Sequence, residues 1–197
     1  MPIMLRISRR LLVIPLLLLV ARSALATEDH LSLKDVDGVP VELHIKNRSI
    51  KALHGKKPIY LDAKSKAIFA QMQSISVVSD KTFLKESSQY FWAFIRFPSN
   101  EHSRNGYCGA GTEDYLYLFH LKKDRLLVMD GYLAQSCLKS FSIDVDGIED
   151  LKSNVDFDAG TGSLYFIQTG IRNEVSYEKS VTLIASGLRI EIHEAGR

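Results

Sequence analysis

Apolar residues in this chain recur at every second position in short runs that end at Gly, Asn or Asp. Such a run has one apolar face only when its backbone is extended, so a chain made of many of them must pair them into sheets. Val41-Glu42-Leu43-His44-Ile45-Lys46 alternates strictly, and residues 75–78 form a short β-branched run. Residues 89–97 are apolar on both faces, with Tyr90, Trp92 and Phe94 on one and Phe91, Ala93, Ile95 and Phe97 on the other. That pattern predicts a central strand buried on both sides. Residues 115–121 and 126–134 flank the polar turn 122–125 and read as a hairpin. Residues 140–145 form a further run ending at Asp146-Gly147. Two more hairpins are expected, 154–157 with 163–168 and 181–185 with 188–193. Helical spacing occurs once, over 63–73, where Ala67, Ile68, Met72 and Ile75 share a face. Residues 27–34 read as a loosely paired lead-in. The expected fold is all-β, an antiparallel sandwich, barrel or curved meander with at most one short helix, and α+β is the second choice.

Composition sets the outer bounds. With 46% hydrophobic and 24% charged residues, the chain can bury a core, which excludes disordered and low-complexity classes. Its 197 residues suit one domain. Residues 1–26 differ from the rest: Arg6, Arg9 and Arg10 precede an apolar run over 11–21, followed by Ala24-Leu25-Ala26. This is the pattern of a cleaved secretory signal peptide, leaving 27–197 as a single β-rich domain. The apolar run is about half the ~20 residues that span a bilayer, which argues against a retained anchor. Ser8-Arg9-Arg10-Leu11 also matches a twin-arginine signal, but the leucine-rich stretch favours ordinary unfolded export. A periplasmic or secreted location follows.

Removing the leader takes away four of the 25 basic residues and none of the 23 acidic ones, turning a formal net charge of +2 into −2. Such a domain has no long-range attraction for nucleic acid or anionic lipid, and no basic stripe is present. Neither nucleic-acid binding nor stable membrane insertion is expected of the processed chain. Beyond the leader the compartment is oxidising, so Cys108 and Cys137 are expected to form a disulfide. Extending the register of the 122–125 turn outward sets Cys137 opposite Ala110, two positions from Cys108. A small irregularity near Gly109 and Gly111 would let the two meet.

The usual catalytic signatures are absent: no G-x-S-x-G elbow, no H-E-x-x-H helix, no P-loop and no dinucleotide fingerprint. The six histidines are scattered, with no two at a metal-ligand spacing. Asp-x-Asp-Gly occurs at 35–38 and 144–147, with a looser cousin at 156–160. Asp144, Asp146, Glu149 and Asp150 are a weak calcium candidate, because the later ligands of a calcium loop are missing. Asp-Gly is first of all turn chemistry. No cofactor is expected. The longest polar stretch, 98–112, follows the aromatic strand and carries His102, Arg104 and Tyr107, with Glu113 and Asp114 just beyond it. A polar loop of that length on a rigid sheet suits recognition. The expected function is therefore an exported, non-catalytic binding protein for another exported or envelope protein, such as an inhibitor or immunity-type partner of a secreted enzyme. The alternatives are a small hydrolase that assembles His102 and acids only in the fold, and a structural envelope module.

Overall fold

A computed structural model describes residues 28–46, 49–99, 111–143 and 151–196. The first reversal is made by Asp35, whose carboxylate accepts the backbone N–H groups of Asp37 (2.9 Å) and Val39 (2.7 Å), while Gly38 supplies a φ of +81°. This turn pairs β1 (Glu28–Lys34) with β2 (Pro40–Lys46) along their whole length. The expected loose lead-in is thus a fully laddered strand. Leu31 and Leu33 continue the alternation of Val41, Leu43 and Ile45 and are buried with them. β3 (Ser49–His54) and β4 (Lys57–Pro58) complete a four-stranded antiparallel sheet in chain order.

The rest of the chain builds a second sheet of 11 strands. It opens with β5 (Tyr60–Leu61), followed by the helix α1 (Ala63–Gln71). Asp62 caps the helix by accepting the N–H of Ser65 at 2.7 Å. The helix stops before residue 73 because Met72 turns extended, at φ −69° and ψ 156°. Then come β6 (Ser74–Val77), β7 (Phe83–Lys85), β8 (Ser88–Pro98), β9 (Thr112–Lys122), β10 (Arg125–Ser136) and β11 (Phe141–Ser142). A 3₁₀ turn at Leu151–Asn154 leads into β12 (Asp156–Asp158), β13 (Ser163–Arg172), β14 (Val175–Ser186) and β15 (Arg189–Gly196). The main path runs β15-β14-β13-β11-β10-β9-β8-β6, with β5, β7 and β12 paired at its margins. Only Phe141 and Ser142 form the strand expected over 140–145; residues 144–150 lie outside the described ones.

Strands β8 and β9 lie between two cores, as the two-faced pattern of 89–97 predicts. Phe91, Ala93, Ile95 and Phe119 pack with the inner face of the four-stranded sheet and with Phe69 of α1. Trp92, Phe94, Leu116 and Leu118 pack on the other side with Leu164, Phe166, Val181 and Leu183. The large sheet therefore curls until β13–β15 cover the far face of β8 and β9. One irregularity makes this possible. The register between β9 and β10 slips between Val128 and Asp130, so Leu126 and Val128 serve the first core while Ala134 serves the second. The curl does not close into a barrel. Where β15 returns towards β10, side chains make the junction: Asp130 accepts the Ile190 N–H at 3.2 Å, and the Tyr132 hydroxyl donates to Glu194 at 2.8 Å.

Candidate functional site

The expected recognition loop leaves the sheet where Pro98 pairs with Thr112. His102, Arg104, Tyr107 and Cys108 lie outside the described residues. Glu113 and Asp114 are described, and neither is displayed. Glu113 is 9% exposed; its Oε1 accepts the Ser99 hydroxyl at 2.9 Å and the Leu138 N–H at 3.2 Å. Asp114 is 1% exposed and takes a two-pronged ion pair from Arg96, at 2.7 and 3.1 Å. Both carboxylates are occupied in tying the ends of β8, β9 and β10 together.

The register expected for the cysteines is corrected by the strand pairing. Two slips in β10, one at Val128/Asp130 and one at Leu133/Gln135, move the ladder so that Ser136 faces Glu113. The Cys137 N–H then donates to the Thr112 carbonyl at 3.3 Å, so Cys137 faces Thr112 and not Ala110. The slips shift the pairing away from Cys108, not towards it. Among the described residues no cysteine is free. Gly111 lies against the Cys137 side chain: a Cβ there would fall 2.6 Å from its sulfur.

The same end of the molecule exposes three large apolar side chains. Leu138 is 60% exposed on the turn after β10, and Ile171 (59%) and Val175 (66%) flank the β13–β14 turn. The two turns are joined, since the Ile171 N–H donates to the Ser140 carbonyl at 3.0 Å.

The acidic motifs divide. Asp144, Asp146, Glu149 and Asp150 lie outside the described residues. The other two copies act as turns. Asp35 is 3% exposed and, besides its two amides, accepts from His54 Nε2 at 2.8 Å. Asp158 accepts the Gly160 N–H and the Thr161 hydroxyl, both at 2.8 Å, and these bonds hold its carboxyl below the usual range.

The histidines are not all scattered. The β1–β2 ladder sets His30 directly opposite His44, with ring centroids 4.6 Å apart. Glu42, two residues before His44 and therefore on the same face, brings its Oε2 to 3.3 Å from His44 Nε2. One ligand atom from each of the three lies within 4.8 Å of the others. The sequence hid this pair. A hairpin centred on Asp35–Gly38 would set residue 30 opposite 43; the turn runs instead from Asp35 to Val39, closed by the Asp35 N–H donating to the Val39 carbonyl at 2.9 Å, and this moves the partner to 44. Residues 27–34 also do not look like a strand by alternation of strong apolar residues. His120 is a different case: it stacks on Tyr90 at 4.7 Å, and its Nδ1 is buried with no hydrogen-bond partner among the described residues. No helix among the described residues is long and apolar enough to cross a membrane. Comparison with protein-family models, curated proteins and solved structures finds no match to this chain.

Proposed function

We propose that the chain is an exported protein of the periplasm or the extracellular space that works by binding another exported or envelope protein, as an inhibitor or immunity-type partner of a secreted enzyme would. The observation that carries this reading is the pairing of exposed apolar groups with a rigid mount. Leu138, Ile171 and Val175 stand on two hydrogen-bonded turns, at the end of the fold where Pro98 pairs with Thr112. Exposed apolar anchors on a rigid mount are the makings of a protein-binding patch. Glu113 and Asp114 lend no support to a hydrolase, because both carboxylates are buried and already accept from Ser99, Leu138 and Arg96.

The leader and the disulfide belong to the same proposal. The exported form begins at Thr27, and Cys108 joins Cys137 so that the loop is stapled beside Gly111. Closing a loop of about 30 residues contributes roughly 3–4 kcal/mol in the chain-entropy model. Amino-terminal sequencing and thiol titration under denaturing conditions check both parts; Met1 retained, or two reactive thiols, would overturn them. The binding reading is tested by immobilising the processed domain and a Leu138→Ser, Ile171→Ser, Val175→Ser variant over a cell-envelope extract. A protein retained by the first and lost by the second, at equal melting temperature, is the expected result. Equal retention by both would reject the patch.

A further inference from the structure

The geometry points to a transition-metal site on the outer face of the four-stranded sheet, formed by His30, Glu42 and His44. Two imidazoles and one carboxylate are the donor set of borderline divalent ions such as Zn²⁺, Ni²⁺ and Cu²⁺, and not of Ca²⁺ or Mg²⁺, which prefer oxygen alone. The spacing suits this set. Zinc bonds of about 2.0–2.1 Å at tetrahedral angles place neighbouring donor atoms about 3.3–3.4 Å apart. Glu42 Oε2 and His44 Nε2 already stand at 3.3 Å. The third donor comes from His30, and all three atoms lie within 4.8 Å of one another. An imidazole turns about its χ angles far enough to close the remaining gap, because His30 is exposed on the edge strand, where its ring lies against His44.

The backbone supplies the rigidity that a surface cluster usually lacks. His30 and His44 are opposite partners in a ladder that runs the full length of β1 and β2, and Glu42 follows on the same face at the two-residue period of a strand. The inner face of the same strands is anchored by Leu31, Leu43 and Ile45. On binding, the metal takes the place of the hydrogen at His44 Nε2, and the neutral ring carries its one N–H proton on Nδ1 instead. Three protein ligands leave at least one coordination position open to water or to an outside donor, as in zinc sites that are not purely structural. Lys51 faces His44 from β3, and its cation limits how tightly a dication is held.

The test is calorimetric titration of the untagged chain with zinc chloride at about pH 7.5, above the ordinary histidine pKa of about 6.5. One zinc per chain is expected. His30→Ala and His44→Ala should each weaken binding more than tenfold. Glu42→Gln, which keeps the shape and removes the charge, should weaken it as well. His193→Ala, an exposed histidine on β15, should leave binding unchanged, and excess calcium should not compete. Far-UV circular dichroism confirms that each variant keeps its sheets. No zinc binding below millimolar concentration, or binding that survives either the His30 or the His44 substitution, would overturn the site.

Discussion

Asp35 carries more of the fold than its place in a turn suggests. One carboxylate satisfies two turn amides and the ring N–H of His54, and the residue is 3% exposed. Leaving those donors without an acceptor costs about 1–3 kcal/mol for a buried group, with water recovering part of it at the turn. Asp35→Ala should therefore lower stability by about 2–3 kcal/mol, and Asp35→Asn, which keeps one acceptor oxygen, by less. Urea denaturation of the two variants checks the order; equal losses would mean that the carboxylate is replaceable by water. His120 makes a prediction about pH. Burial, and then the Lys122 cation, hold its pKa below the ordinary value of 6.5. The unfolded chain accordingly takes up the proton first as the pH falls. The neutral ring thus contributes stability that is fully present above about pH 6.5 and is lost as the pH drops through the window below it. His120→Phe keeps the stacking on Tyr90 and removes the buried Nδ1. Its stability should fall less than that of the wild type between about pH 7.5 and pH 5.5. Parallel losses in the two proteins would show that other groups set the acid limit.

The turns explain why some hairpins were visible in the sequence and one was not. Lys122–Arg125 and Ser186-Gly187 interrupt clear apolar alternation, so their hairpins stand out. The β13–β14 reversal passes through Asn173 and Glu174, both at positive φ (52° and 65°), with no glycine to announce it. A two-residue turn with both central φ values positive matches the strand twist and strongly favours Asn-Gly. A non-glycine residue pays roughly 1–2 kcal/mol in that region. Glu174→Gly should raise stability by about 1 kcal/mol, since glycine gives back part of the gain in unfolded-chain entropy. Thermal melting measures it, and a lowered midpoint would mean that the Glu174 side chain holds something of its own. The two-sided burial of β8 was readable because both faces are filled with large apolar residues. The pairing of β1 was not, because only Leu31 and Leu33 mark its inner face between the polar neighbours His30, Ser32 and Lys34. The bulges in β10 left no mark either. A slipped register depends on how a strand must bend to serve two cores, and neither Met129 nor Ala134 announces that. The cost of missing it fell on the cysteines, whose expected alignment assumed an unbroken ladder.

At the scale of the whole molecule, the question is whether two cores make two folding units. The four-stranded sheet and α1 enclose one core, and β13–β15 enclose the other. The cores are back to back on the same two strands: adjacent residues such as Phe91 and Trp92 belong to opposite ones. Loosening either core removes half the packing of β8 and β9 and with it the floor of the other, so the two should melt together. Leu43 and Leu164 are both fully buried, one in each core. Replacing either by alanine should cost about 2–5 kcal/mol. The chain has a single tryptophan, and Trp92 sits in the second core, where its indole N–H donates to the Gly162 carbonyl at 3.0 Å. It reports on that core alone, while far-UV circular dichroism reports on all strands. In urea, Leu43→Ala should move the Trp92 fluorescence midpoint as far as it moves the circular dichroism midpoint, although the substitution lies in the opposite core. Leu164→Ala should likewise shift both probes by equal amounts. If Leu43→Ala instead lowered the circular dichroism midpoint and left Trp92 fluorescence in place, the four-stranded sheet would be a separate unit docked on an independently stable one, and the shared strands would not couple the two cores.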